Sequence, residues 1–187
     1  MLRRIDNNKM GSSDLGWLKS KFHFSFAEYY NPSNINFGVL RVINDDLVKP
    51  GTGVFHSEHN LGEETLRFLQ IWIYPDKNGY EPNYGDYKFE WNDRKNKWLN
   101  IVSSKEGNAP IKVNQDANIF VLELDKDQEI EFKVGEGRQA YLVQIEGRTD
   151  INNIGLNMRD GLEIIEEDIK IKAIETSHFL LIEMKKE

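Results

Sequence analysis

The clearest periodic run in the chain is residues 66–74. Leu69, Ile71 and Ile73 fall on one face of an extended strand, and Leu66, Phe68, Trp72 and Tyr74 on the other; Pro75 stops it. A second two-sided run, Phe37 to Ile43, precedes the polar triplet Asn44-Asp45-Asp46, which reads as its end. Phe22, Phe24 and Phe26 alternate in a turn-rich opening, residues 1–36, that reads as an arm packed over a core with Trp17 as its anchor. Tyr87, Phe89 and Trp91 share one face of a short strand, and Trp98 to Val102 is placed to pair back on it. Beyond residue 111 the alternation quickens: Phe120, Leu122 and Leu124; Ile130, Phe132 and Val134; Tyr141, Val143 and Ile145; Ile169, Ile171 and Ala173 between lysines; then His178 to Met184. Many short strands at close spacing, with no helix of more than a few turns, predict an all-β barrel or sandwich. Lys105 to Pro110 is the best linker, dividing the chain into residues 1–104 and 111–187. The second half offers about eight strands, enough to close a small barrel, and the first half only about five.

Composition narrows the functional classes. The chain has 187 residues and a formal net charge of −7, so its surface repels phosphates and direct nucleic-acid binding is not expected. It has no cysteine, which removes disulfides, thiol catalysis and cysteine-based zinc sites. No apolar run reaches membrane-spanning length, and Met1-Leu-Arg-Arg-Ile-Asp6 has no apolar segment behind its arginines. The expectation is a cytoplasmic protein with no membrane partner.

Candidate chemistry is sparse. His56 and Glu58 stand two positions apart, so in a strand both project from one face and can bind a divalent metal. A catalytic iron or zinc site needs a third protein ligand. His59 alternates to the opposite face from Glu58, and His23 and His178 read as structural. There is no serine nucleophile elbow and no phosphate loop. Asp45 and Asp46 read as turn-formers or caps. Trp72, Tyr74, Tyr87, Phe89 and Trp91 could line a pocket for a flat aromatic ligand, but core or inter-barrel packing is the readier reading.

Several blocks together resemble one family. Gly16-Trp-Leu-Lys-Ser-Lys-Phe-His-Phe-Ser-Phe-Ala-Glu-Tyr-Tyr-Asn-Pro32 is similar to the N-terminal signature of the pirins. Phe37 to Asp46, His56-Ser-Glu-His-Asn60, Phe68-Leu-Gln-Ile-Trp-Ile-Tyr-Pro75, Lys112-Val-Asn-Gln-Asp116 and the ending from Asp160 to Glu183 continue it in order. The resemblance implies two tandem cupin barrels with one metal, usually iron, in the first. It implies a His-x-His pair plus the His and Glu of a His-Ser-Glu motif as ligands. Some members look like quercetin 2,3-dioxygenases; others act as regulators through protein partners. Here Pro50-Gly-Thr-Gly-Val-Phe55 runs straight into His56-Ser57-Glu58, and the block carrying the His-x-His pair is missing. Only His56 and Glu58 carry over as metal ligands, leaving two of the four expected. The expectation is therefore a pirin-like bicupin with a truncated N-terminal barrel, an incomplete metal site and a binding or regulatory role. The alternative is a quercetin 2,3-dioxygenase-like enzyme whose iron site is completed by dimerisation. A barrel short of strands leaves both faces of 66–74 uncovered, which predicts a homodimer through the N-terminal halves.

Overall fold

The computed structural model of the chain describes residues 1–53 and 59–186. They form two compact units, Met1–Asp6 with Tyr74–Glu187, and Asn7–Ile73. Strand β1 (Leu2–Ile5) belongs to the larger unit. The smaller unit holds β2 (Gly11–Asp14), β3 (Leu18–Phe22), β4 (Leu40–Val48), β5 (Thr52–Gly53), β6 (His59–Asn60) and β7 (Leu66–Ile73). The larger continues with β8 (Leu99–Ser104), β9 (Ile111–Val113), β10 (Ala117–Leu124), β11 (Glu129–Phe132), β12 (Arg138–Glu146), β13 (Thr149–Ile151), β14 (Ile154–Leu156), β15 (Gly161–Ile165), β16 (Ile169–Ala173) and β17 (Ser177–Lys185). The only helical turns among the described residues are 3-10 turns at Asn7–Lys9 and Trp91–Arg94, in keeping with the all-β expectation. None is long and apolar enough to cross a membrane.

The larger unit packs a seven-stranded sheet, ordered β1-β15-β12-β17-β10-β8-β9, on a four-stranded sheet, β11-β16-β13-β14. Alternation sends one side chain of every two inward. Leu122 and Leu124 of β10, Leu142 of β12, Leu162 and Ile164 of β15 and Phe179 and Leu181 of β17 meet Ile151, Leu156, Ile169 and Ile171 from the other sheet. Each is buried to within 1 %, and burying one such side chain contributes roughly 1.5–3 kcal/mol. Trp98 lids this core edge-on to Phe132, 5.2 Å between ring centroids, and donates its indole N–H to the Glu131 carbonyl at 3.1 Å. The first strand is held by charge as well as by its ladder. Arg3 forks onto Glu163 at 2.7 and 2.5 Å, and Arg4 reaches Asp160 at 2.8 Å.

The smaller unit is a four-stranded antiparallel sheet, β2-β3-β4-β7, plus the short β5–β6 hairpin. β4 lies between β3 and β7 and is almost wholly buried, whereas no residue of the edge strand β7 is buried. Gly11 permits a close approach: a Cβ there would sit 2.2 Å from the Tyr29 ring.

Several local expectations change. The opening is not one arm, because β1 pairs with β15 while β2 and β3 join the smaller sheet; Trp17 is half-buried and accepts the Lys49 N–H at its carbonyl. The polar triplet Asn44-Asp45-Asp46 does not end a strand but lies inside β4. Residues 87–90 form no strand, and Trp91 opens a 3-10 turn. Leu99–Ser104 pairs with β10, not with residues 87–91. The division by packing, at 73–74, and the linker expected at 105–110 do not coincide, because β8 shares a sheet with β10.

Candidate functional site

The residues expected to bind metal fall in the connection between β4 and β7. The chain leaves β4 at Val48, turns at Gly51 with φ of +64°, a left-handed conformation that favours glycine, and enters β5. Thr52 pairs with Asn60 and Gly53 with His59. The stem is fastened at its base. The Gly51 N–H donates to the Asn60 carbonyl at 2.8 Å, and Thr52 Oγ1 donates to the Lys49 carbonyl at 2.7 Å. Asn60 is buried and uses both ends of its amide. Nδ2 donates to the Val48 and Glu64 carbonyls at 3.0 and 2.7 Å, and Oδ1 accepts the Gly62 N–H at 3.0 Å. The sequence reading gives Asn60 no role; an asparagine two residues before a glycine was the available signal. His56 and Glu58 themselves lie outside the described residues, between the two halves of this stem.

His23 and His178 belong to other stretches of the chain. His23 follows β3 and is fully buried; its N–H donates to the Ile43 carbonyl at 3.0 Å and its carbonyl accepts Asn34 Nδ2 at 2.6 Å. His178 belongs to β17 of the larger unit, opposite Glu123 of β10 and Glu146 of β12. Its ring lies 4.9 Å from Trp91, and its Nε2 is 3.4 Å from Arg94 Nη1. The Arg94 guanidinium covers the Trp91 face at 4.6 Å, while the Trp91 indole donates to Glu123 at 2.6 Å. Burial lowers the Arg94 pKa, with Glu123 opposing. Among the described residues no three His, Asp or Glu side chains gather as a metal-holding group.

The strongest electrostatic feature of the smaller unit is one that the sequence reading missed. Asp45, fully buried in β4, receives a fork from Arg67 of β7 at 2.9 and 2.6 Å. Its neighbours in sequence, Asn44 and Asp46, point to the other face and are also buried, with Ser20 of β3 across from Asp46. Removing two charges from water costs several kcal/mol per ion, so such a pair fixes strand register more surely than it adds stability. Arg67 is the one charge in β7, which was the signal to look for a partner across the sheet.

The larger unit packs an aliphatic and aromatic core, and its buried polar groups include Asp160, paired with Arg4, and Gln144, which accepts from Thr149. The clustered aromatics are not the core residues that the sequence suggested. Trp72, Tyr74, Tyr87 and Trp91 are each about half exposed. The Tyr87 and Phe89 rings lie 4.6 Å apart, tilted by 51°, beside Leu99 and Pro110 in a shallow surface cleft of the larger unit.

Comparison with known proteins fits this frame. The profile of the quercetinase C-terminal cupin domain matches residues 100–184. A pirin-like protein of Caulobacter vibrioides is 32% identical over 230 residues, covering 98% of this chain and 99% of the relative. The quercetin 2,3-dioxygenase of Escherichia coli K12 is 29% identical over 224 residues, covering 95% and 96%. The crystal structure of the bacterial pirin YhhW of Escherichia coli in complex with nickel(II) superimposes with a TM-score of 0.90 at 26% identity, over the whole of both chains. The aligned length with the Caulobacter protein exceeds the 187 residues of this chain, so that relative carries internal residues that have no counterpart here. The chain belongs to the pirin family: two tandem cupin barrels, the N-terminal one cut short.

Proposed function

We propose that this chain is a pirin-like protein that acts by binding, in a regulatory role toward another protein, rather than by oxygenation. The observation that carries the reading is the distribution of its imidazoles. The chain has four histidines and no His-x-His pair. His23 is fully buried behind β3, and His178 belongs to the other unit, against Trp91 and Arg94. That leaves the segment from Thr52 to Asn60, with His56, Glu58 and His59, as the remaining imidazole-bearing stretch. A mononuclear iron or zinc centre takes three or more protein ligands converging on one point. By sequence spacing in a regular strand, His56 and Glu58 share one face and His59 falls on the other, which is short of such a centre. The protein purified without chelators should carry much less than one iron or nickel per chain by elemental analysis, and should take up no oxygen with quercetin. A tightly held stoichiometric metal that survives dialysis would overturn this reading.

A second reading is favoured by one observation, the likeness to the E. coli quercetin 2,3-dioxygenase over nearly the whole chain. On it, the protein is a quercetin 2,3-dioxygenase-like enzyme whose metal is held by His56 and Glu58 from two copies. Oxygen uptake with quercetin that disappears in His56→Ala would favour the second reading over the first.

A further inference from the structure

Six strands end the three larger sheets among the described residues, and five of them are protected. β1, β2, β9, β11 and β14 are three or four residues long. β1 carries two arginines, β2 is Gly-Ser-Ser-Asp, β9 has a central lysine, β11 alternates with glutamates, and β14 has a central glycine. Shortness and charge are the usual devices that stop a sheet edge from pairing with another chain. The sixth, β7, has none of them. It is eight residues long, Leu-Arg-Phe-Leu-Gln-Ile-Trp-Ile, without proline, lysine or an acidic residue. Every one of its residues is at least partly exposed, with Leu66 at 40% and Trp72 at 52%. Its one charge, Arg67, already reaches inward to Asp45.

We infer that the β7 edge is a homodimer interface, on which a second copy of this chain adds its own β7 antiparallel to form one eight-stranded sheet. The self-complementarity of the strand is what selects a copy. A two-fold axis normal to the sheet keeps each face on its own side, so even-numbered residues meet even and odd meet odd. Centred on Gln70, this register sets Phe68 against Trp72 of the other copy, Leu69 against Ile71 and Gln70 against Gln70. Aromatic meets aromatic and aliphatic meets aliphatic on the two faces. Arg67 falls opposite Ile73, so the two like charges do not meet. The other edge of the same sheet, β2, is short and polar, so the assembly closes at two copies instead of growing. The interface concerns the sheet edge alone and stands whether or not the chain binds metal, so failure of one does not touch the other.

The test uses the full chain. Sedimentation equilibrium at micromolar concentration should give the dimer mass. Trp72→Glu, at a half-exposed position, should raise the dissociation constant by at least about tenfold. Adding Phe68→Lys to it should restore association, because the introduced lysine then faces the introduced glutamate of the other copy. The absence of native cysteine makes the register directly readable. Gln70→Cys should give a covalent dimer on mild oxidation, since facing Cβ atoms of a strand pair lie within disulfide reach. Gln128→Cys, exposed in the larger unit, should not. A monomer mass overturns the inference, and so does a dimer that neither weakens with Trp72→Glu nor links through residue 70.

Discussion

The two units solve the same problem differently. The larger covers the inner face of its seven-stranded sheet with four more strands, and the space between is filled by residues such as Phe179, Leu142 and Ile171 with no measurable exposure. The smaller has one four-stranded sheet. Its central strand β4 is buried along nearly its whole length, yet carries Asn44, Asp45 and Asp46 there, and no residue of its edge β7 is buried. The larger unit fills the space between its sheets with apolar side chains and pairs the polar groups it buries, Asp160 with Arg4 and Gln144 with Thr149. The smaller unit sets its buried ion pair, Asp45 with Arg67, across the strands of a single sheet.

Substitutions probe that contrast, beginning with the largest effect. Phe179→Ala should cost about 3–5 kcal/mol in urea unfolding, because the fully enclosed site beside Trp98 has little freedom to collapse. A cost below about 1 kcal/mol would mean that the larger unit is not closely packed. In the smaller unit the ion pair should respond asymmetrically. Arg67→Met strips a fully buried Asp45 of its guanidinium and should cost about 3 kcal/mol. Asp45→Asn leaves the arginine, a fifth exposed, able to reach water, and should cost roughly 1–2 kcal/mol. Equal costs would place the stabilisation in packing instead of charge. Asn60→Ala removes three hydrogen bonds at the hairpin base and should lower the local opening energy by roughly 1–3 kcal/mol, read as faster amide exchange at Gly51 and Gly62. Unchanged exchange there would show that the stem holds without its clamp.

The smallest effect should appear only at alkaline pH. Burial, helped by Glu163, holds the Tyr141 phenol well above its ordinary value of 10. The unfolded chain therefore ionises first, and stability is full below that value and falls as pH rises beyond it. Tyr141→Phe should flatten the decline measured between about pH 8 and pH 11. An identical slope would assign the loss to other groups.

Much of the fold was legible because period-2 alternation is local. β7, β10, β16 and β17 all fall where their apolar residues alternate. What was not legible depends on partners distant in sequence. Asp45 in a triplet of polar residues looks like a strand end until Arg67, 22 residues on, neutralises it across the sheet. Tyr87, Phe89 and Trp91 alternate as well as any strand, but no neighbour pairs with them. Leu2–Ile5 reads as a loose terminus because its partner, Gly161–Ile165, lies at the far end of the chain. The metal positions His56 and Glu58 are read from sequence and lie outside the described residues; the fold adds only the pairing of Thr52–Gly53 with His59–Asn60.

Native mass spectrometry of the full chain after incubation with nickel(II) or iron(II) tests the central claim most directly, because a single mass reports both copy number and bound metal. The account predicts a dimer whose mass shows no stoichiometric metal. A monomer carrying one tightly bound ion per chain would contradict it.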